Sequence, residues 1–221
     1  MRLIGALASV LAFLAMAGMA SARSGGSGVA GKCPTVTRHI VTADPQAEIF
    51  EASSYVFGCV FGRPRSYELG HVSEPTCEST ACGGVRRVVL AGTVVAYESF
   101  LTADVERWYV VVRDLRSGRI LRHLPTGALL KPSPGNAGVG PIVGLVAKPN
   151  GSVAWIAEDF GRSAPSTSTS EEARYYDVYA SDKSGTRLLA SGLDVSPSSL
   201  ALAGSTLYWT QGGKPASAAL N

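Results

Sequence analysis

The segment "LAGTVVAY", Leu90 to Tyr97, returns as "LAGSTLYW", Leu202 to Trp209. Leu-Ala-Gly recurs unchanged, Thr gives way to Ser, and the last position changes from Tyr to Trp. A related copy lies between them. Val153-Ala154-Trp155 in "NGSVAWIAEDF" matches Val95-Ala96-Tyr97 at a spacing of 58, and Trp209 follows Trp155 by 54. Self-similarity at a near-constant period marks a supersecondary unit that cannot bury its apolar surface alone. Such a unit needs neighbouring copies stacked against it.

A second element follows the first two copies. "RWYVVVRDLRSGRIL" from Arg107 and "RYYDVYASDKSGTRL" from Arg174 align without a gap at a spacing of 67. The excess of nine residues falls in "GRSAPSTSTSEEA", a polar, small-residue tract that reads as a loop insertion. Each unit then resolves into four short strands. "RRVVLAG", "TVVAYESF", "RWYVVVRDL" and "GRILRHL" form one. "PIVGLVA", "GSVAWIAEDF", "RYYDVYASD" and "GTRLLASG" form the next. "PSSLALAG", "STLYWTQG" and "KPASAAL" stop one strand short, and "AEIFEAS", "YVFGCVFGR" and "SYELGHV" read as a diverged first unit. Val, Ile, Tyr and Trp fill these runs, Gly, Asn and Ser punctuate them, and no long helical period appears beyond the first residues.

The expected fold class is therefore all-β: an array of about four four-stranded antiparallel blades, minimal or incomplete, with a β-sandwich as the alternative. "VTRHIVTA", Val36 to Ala43, is read as the strand that fills the gap in the last unit and closes the ring. The pattern in "GTVVAYESF", "RDLRSGRIL", "KPNGSVAWIAE" and "AGSTLYW" resembles that of secreted bacterial β-propeller repeat proteins of the WD-repeat-like and TolB-like kind. The Trp-Asp dipeptide of true WD repeats is absent, since Trp155 precedes Ile and Trp209 precedes Thr.

Residues 1–22 read as a signal peptide. Arg2 precedes an uncharged apolar run that ends in the small-x-small site Ala20-Ser21-Ala22. Residues 23–35 are expected to be a flexible N-terminal segment and 36–221 the propeller-like domain. These features predict a secreted protein, extracellular or at the cell surface, with no membrane insertion after cleavage. The formal charge of +3 falls by one with Arg2 and makes no case for nucleic acid. The four cysteines, Cys33, Cys59, Cys77 and Cys82, suggest disulfides in an oxidising compartment. Three pairings are open; the short "CESTAC" loop favours Cys77–Cys82 with Cys33–Cys59. A four-cysteine zinc site is the rival, but only one close pair exists.

Little catalytic chemistry is legible. His39, His71 and His123 form no close pair of metal ligands, and no G-x-S-x-G elbow or phosphate loop occurs. His71 alone sits among carboxylates, Glu68 and Glu74. Glu158-Asp159 and Glu171-Glu172 are adjacent acids, which a strand points to opposite faces. Glu158, at a hairpin end, is expected to be solvated, as are Arg113, Arg116, Arg119 and Arg122 on the rim of a turn. Trp155 and Trp209 are read as core, whereas Trp108 and Tyr175, opening third strands beside variable loops, are the residues for contact with a partner. Protein or cell-surface carbohydrate is the partner class, no cofactor or metal is indicated, and the expected role is binding or scaffolding. The alternatives are a propeller-type metal-dependent hydrolase or lactonase, or one chain of a multi-chain propeller.

Overall fold

The structure is a computed structural model that describes residues 33, 37–72, 82–102, 107–127, 140–163 and 174–221. The signal segment, Cys77, Glu74 and the acids 171–172 lie outside the described residues. The described residues form fifteen strands and no helix. Turn chemistry sets the hairpins. Gly92, Gly151 and Gly204 hold φ of 63°, 83° and 59° in the turn that leads into the repeated segment, a left-handed conformation that costs glycine little. This is the physical content of the recurring Leu-Ala-Gly. The first unit has no glycine there, and Asp44 Oδ1 instead accepts the Gln46 and Ala47 amides at 2.7 and 3.0 Å.

Four antiparallel sheets result, each built from consecutive strands. The first holds β1 (His39–Ala43), β2 (Ala47–Ala52), β3 (Tyr55–Val60) and β4 (Ser66–His71). The second holds β5 (Cys82–Ala91), β6 (Val94–Thr102), β7 (Arg107–Asp114) and β8 (Ile120–Pro125). The third holds β9 (Ile142–Ala147), β10 (Val153–Ser163), β11 (Arg174–Asp182) and β12 (Gly185–Gly192). The fourth has three strands, β13 (Ala201–Ala203), β14 (Thr206–Gln211) and β15 (Lys214–Ala219). The expected filling of that last unit by 36–43 is corrected. β1 runs antiparallel to β2, with Ile40 opposite Phe50 and Ala43 opposite Glu48. A hairpin across a three-residue connection closes with little loss of chain entropy, which a strand recruited from the far end of the chain cannot match.

The core lies between sheets, in chain order. Ile49, Val56 and Leu69 of the first sheet meet Val95, Tyr97 and Val111 of the second. Val94, Ala96, Val110 and Val112 meet Ile142, Trp155 and Tyr179 of the third. Ala154, Ile156 and Val178 meet Leu207 and Trp209 of the fourth. The second and third sheets are thus buried on both faces, as their nearly continuous apolar strands require. A two-layer sandwich would have one such interface, where this chain has three. The repeated aromatics occupy one slot. Tyr97, Trp155 and Trp209 are 2%, 0% and 6% exposed, and each points back at the preceding sheet. Among the described residues, no core cluster joins the first sheet to the fourth.

Candidate functional site

The outer face of the first sheet is partly covered by its own chain. Cys33 is bonded to Cys59, with a Cα separation of 6.0 Å, over Phe50. Cys82 is also disulfide-bonded, and no described cysteine is free. Glu48 lies within ligand distance of both sulfurs, but sulfurs bonded to each other are not thiolate ligands, and Arg38 Nη2 holds Glu48 Oε1 at 2.7 Å.

Several polar and aromatic side chains meet at one end of the gap between the second and third sheets. Strand alternation turns Trp108 in β7 and Tyr175 in β11 into this same gap from opposite sides. Trp108 is more deeply placed than its position at a strand start suggests. It is 9% exposed and stacks on Phe100 with centroids 5.0 Å apart. The Arg86 guanidinium covers both rings, 4.2 Å from the Phe100 centroid and 4.8 Å from that of Trp108. A bulge between Arg86 and Val89 bends β5 here, and Arg87 takes a φ of 47° within it. Glu98, 1% exposed, accepts the Ile142 amide at 2.9 Å and so ties β6 to β9. Burial raises its pKa above 4.5, against the pull of that amide and of Arg86 and Arg87.

Other buried carboxylates are engaged by the protein itself. Glu158 is 5% exposed and lies 3.1 Å from Arg174 Nη1, a correction to its expected solvation: the β10–β11 pairing runs past it to Ser163. Asp182 accepts both Arg187 terminal amines at 3.0 Å, the Ser184 amide at 2.8 Å and the Asn221 amide at 3.0 Å. These donors, the Arg187 hydrogen bonds foremost, hold its pKa far below 3.8. Lys148 Nζ donates to the Leu220 carbonyl at 2.8 Å, and Ser152 Oγ to that of Asn221. Together these contacts latch the last residues onto the third sheet.

Two of the four rim arginines also proved to be structural. Arg113 donates to the Glu68 carbonyl at 3.0 Å, and Arg122 to the Gly151 carbonyl at 2.9 Å and Ser181 Oγ at 3.1 Å, stitching successive sheets. Alternation along β7 and β8, invisible in the charge count, turns them inward. The histidines do not converge: His71 stacks on Tyr55 at 4.2 Å, His123 on Tyr109 at 4.4 Å, and His39 lies 3.3 Å from Glu51.

The fourth sheet differs from the rest. Its inner face carries Leu207 and Trp209. Register places Ala201, Ala203, Thr206, Tyr208, Thr210, Pro215, Ser217 and Ala219 on the other face, without one charge. Tyr208 stands between Ala201 and Ser217 on the neighbouring strands and is 43% exposed. No family model, curated protein or solved structure matches this chain.

Proposed function

We propose that the chain is a secreted binding or scaffolding domain, an incomplete β-propeller that docks a protein partner on the outer face of its fourth sheet. One observation carries the reading. Among the described residues, the other sheet faces meet a neighbouring sheet or carry the Cys33 segment, whereas this one presents eight uncharged positions around an exposed tyrosine. An uncharged surface around an exposed aromatic suits contact with a partner. The propeller reading draws support from the slot shared by Tyr97, Trp155 and Trp209. The secreted reading draws support from the signal-like leader and the Cys33–Cys59 bond. No helix among the described residues is long and apolar enough to cross a membrane. A catalytic reading draws less support, because Glu48, Glu98, Glu158 and Asp182 lie in different places and each is engaged by protein donors.

The three-stranded fourth sheet also favours a second reading, one chain of a multi-chain propeller in which the partner supplies the fourth strand beside β15. Sedimentation and cross-linked recovery of the exported protein test both. A Tyr208→Glu variant should keep the parent's fold and lose the complex. A parent that sediments alone at every concentration and recovers the same proteins as Tyr208→Glu refutes the docking face.

A further inference from the structure

Among the described residues, Arg86 stands apart from the other arginines paired with a buried carboxylate. Arg38, Arg174 and Arg187 reach their acids at 2.7, 3.1 and 3.0 Å. Arg86 Nε lies 3.9 Å from Glu98 Oε2, beyond hydrogen-bond distance, while Glu98 Oε1 is occupied by the Ile142 amide. The guanidinium carbon lies over two stacked rings, and the side chain is 38% exposed. Two donors in this one cluster, Arg86 Nε and the Trp108 indole N–H, are buried and meet no acceptor. An arginine laid over rings as apolar cover accounts for the stacking but not for two idle donors. The Arg87 φ of 47° in the adjacent bulge adds a backbone conformation that non-glycine residues adopt at a cost.

A guanidinium positioned over aromatic rings with an uncommitted N–H complements a planar, two-oxygen anion. We propose that Arg86 and Trp108 form a binding site for the carboxylate group of a ligand that enters the gap between the second and third sheets. The guanidinium takes the carboxylate, Phe100 and Trp108 hold the guanidinium in plane, and Glu98 sets its position from behind. The site is separate from the fourth-sheet face, so either stands if the other fails.

Titration of the exported, disulfide-intact chain with sodium acetate, glucuronate, the capped peptide Gly-Glu-Gly and inorganic phosphate tests it, at constant ionic strength. The readout is the indole N–H signals in ¹H–¹⁵N correlation spectra, with Trp108 assigned through Trp108→Phe. The Trp108 signal should shift saturably with the carboxylates, while those of Trp155 and Trp209 stay. The tighter of glucuronate and peptide identifies a sugar or a protein acid as the source. Arg86→Gln should weaken binding at least tenfold. Arg86→Lys, which keeps the charge without the fork, should weaken it less, and both spectra should remain dispersed. No saturation with any carboxylate, tighter binding of phosphate, or an unchanged titration in Arg86→Gln overturns the site.

Discussion

Trp155→Ala is the sharpest probe of the stacked-sheet arrangement. Trp155 is fully buried, stacks on Tyr179 with centroids 5.3 Å apart, and donates its indole N–H to the Thr126 carbonyl at 2.7 Å. Truncating a buried tryptophan costs about 3–5 kcal/mol through lost transfer energy and the cavity left behind. Removing the indole also orphans the Thr126 carbonyl in a residue with no exposure, worth about 1–3 kcal/mol more. The sum approaches the whole stability of a typical domain, about 5–15 kcal/mol. Trp209 fills the equivalent slot one sheet later, but it is 6% exposed and its indole N–H has no acceptor. Its truncation should therefore cost only the first amount, at the lower end. Trp155→Phe keeps most of the ring and should lose about 1–3 kcal/mol through the idle carbonyl. Urea melts followed by far-ultraviolet circular dichroism give the order: Trp155→Ala least stable, Trp209→Ala next, Trp155→Phe nearest the parent. Trp209→Ala less stable than Trp155→Ala, or Trp155→Ala melting with the parent, would refute the slot assignment.

Asp182 is held far below 3.8, so its share of stability is present above that ordinary value and is lost as pH falls below it. Asp182→Asn should cost about 3–5 kcal/mol at neutral pH and flatten the acid limb of the stability curve, as melts from pH 7 to 2 would record. Glu98 is raised above 4.5, so its ionisation works against the fold as pH rises through its folded value. The stability of Glu98→Gln relative to the parent should accordingly improve from pH 4 to pH 8, and a constant difference would contradict the raised value. Denatured, unreduced protein should titrate with no free thiol. Opening Cys33–Cys59, which spans 26 residues, should cost about 3.5 kcal/mol by loop entropy, read from melts of Cys33→Ser/Cys59→Ser. Deleting 164–172, between β10 and β11, should shift the urea midpoint little, because loop length enters only logarithmically; global unfolding would contradict the repeat alignment.

The strand order was legible because its signals are local. The glycine turns, the valine- and aromatic-rich runs and the 58- and 54-residue spacings each act within one unit, and the three later sheets follow them strand for strand. The partner of β1 was not legible, since a terminal strand can pair locally or across the array and composition does not decide. Arg113, Arg122 and Glu158 were misplaced for a related reason. Their burial depends on the sheet packed over them, which no window of sequence contains. The Arg86 cluster is not written in a motif, because a bulge brings the guanidinium onto Phe100 and Trp108. The sequence does carry two signals: Trp108 opens a third strand beside a variable loop, and the Arg86-Arg87 pair stands out in β5.

The stacking in chain order has a further meaning for cooperativity. Where each sheet touches only its neighbours, stability becomes a sum of nearest-neighbour couplings, and the outermost member opens at the least cost. Here the two ends are restrained by different chemistry. On the first sheet the Cys33–Cys59 bond pins the leading segment over Phe50, a tie that a reductant opens. The fourth is held by its apolar core and by polar ties from Asp182, Arg187 and Lys148 to residues 219–221; with Asp182 held far below its ordinary value, the polar ties loosen only in strong acid. A protein built this way can fray from either end under different conditions: a reductant releases the Cys33 segment from the first sheet, and acid below the ordinary aspartate range loosens the sheet that carries Tyr208.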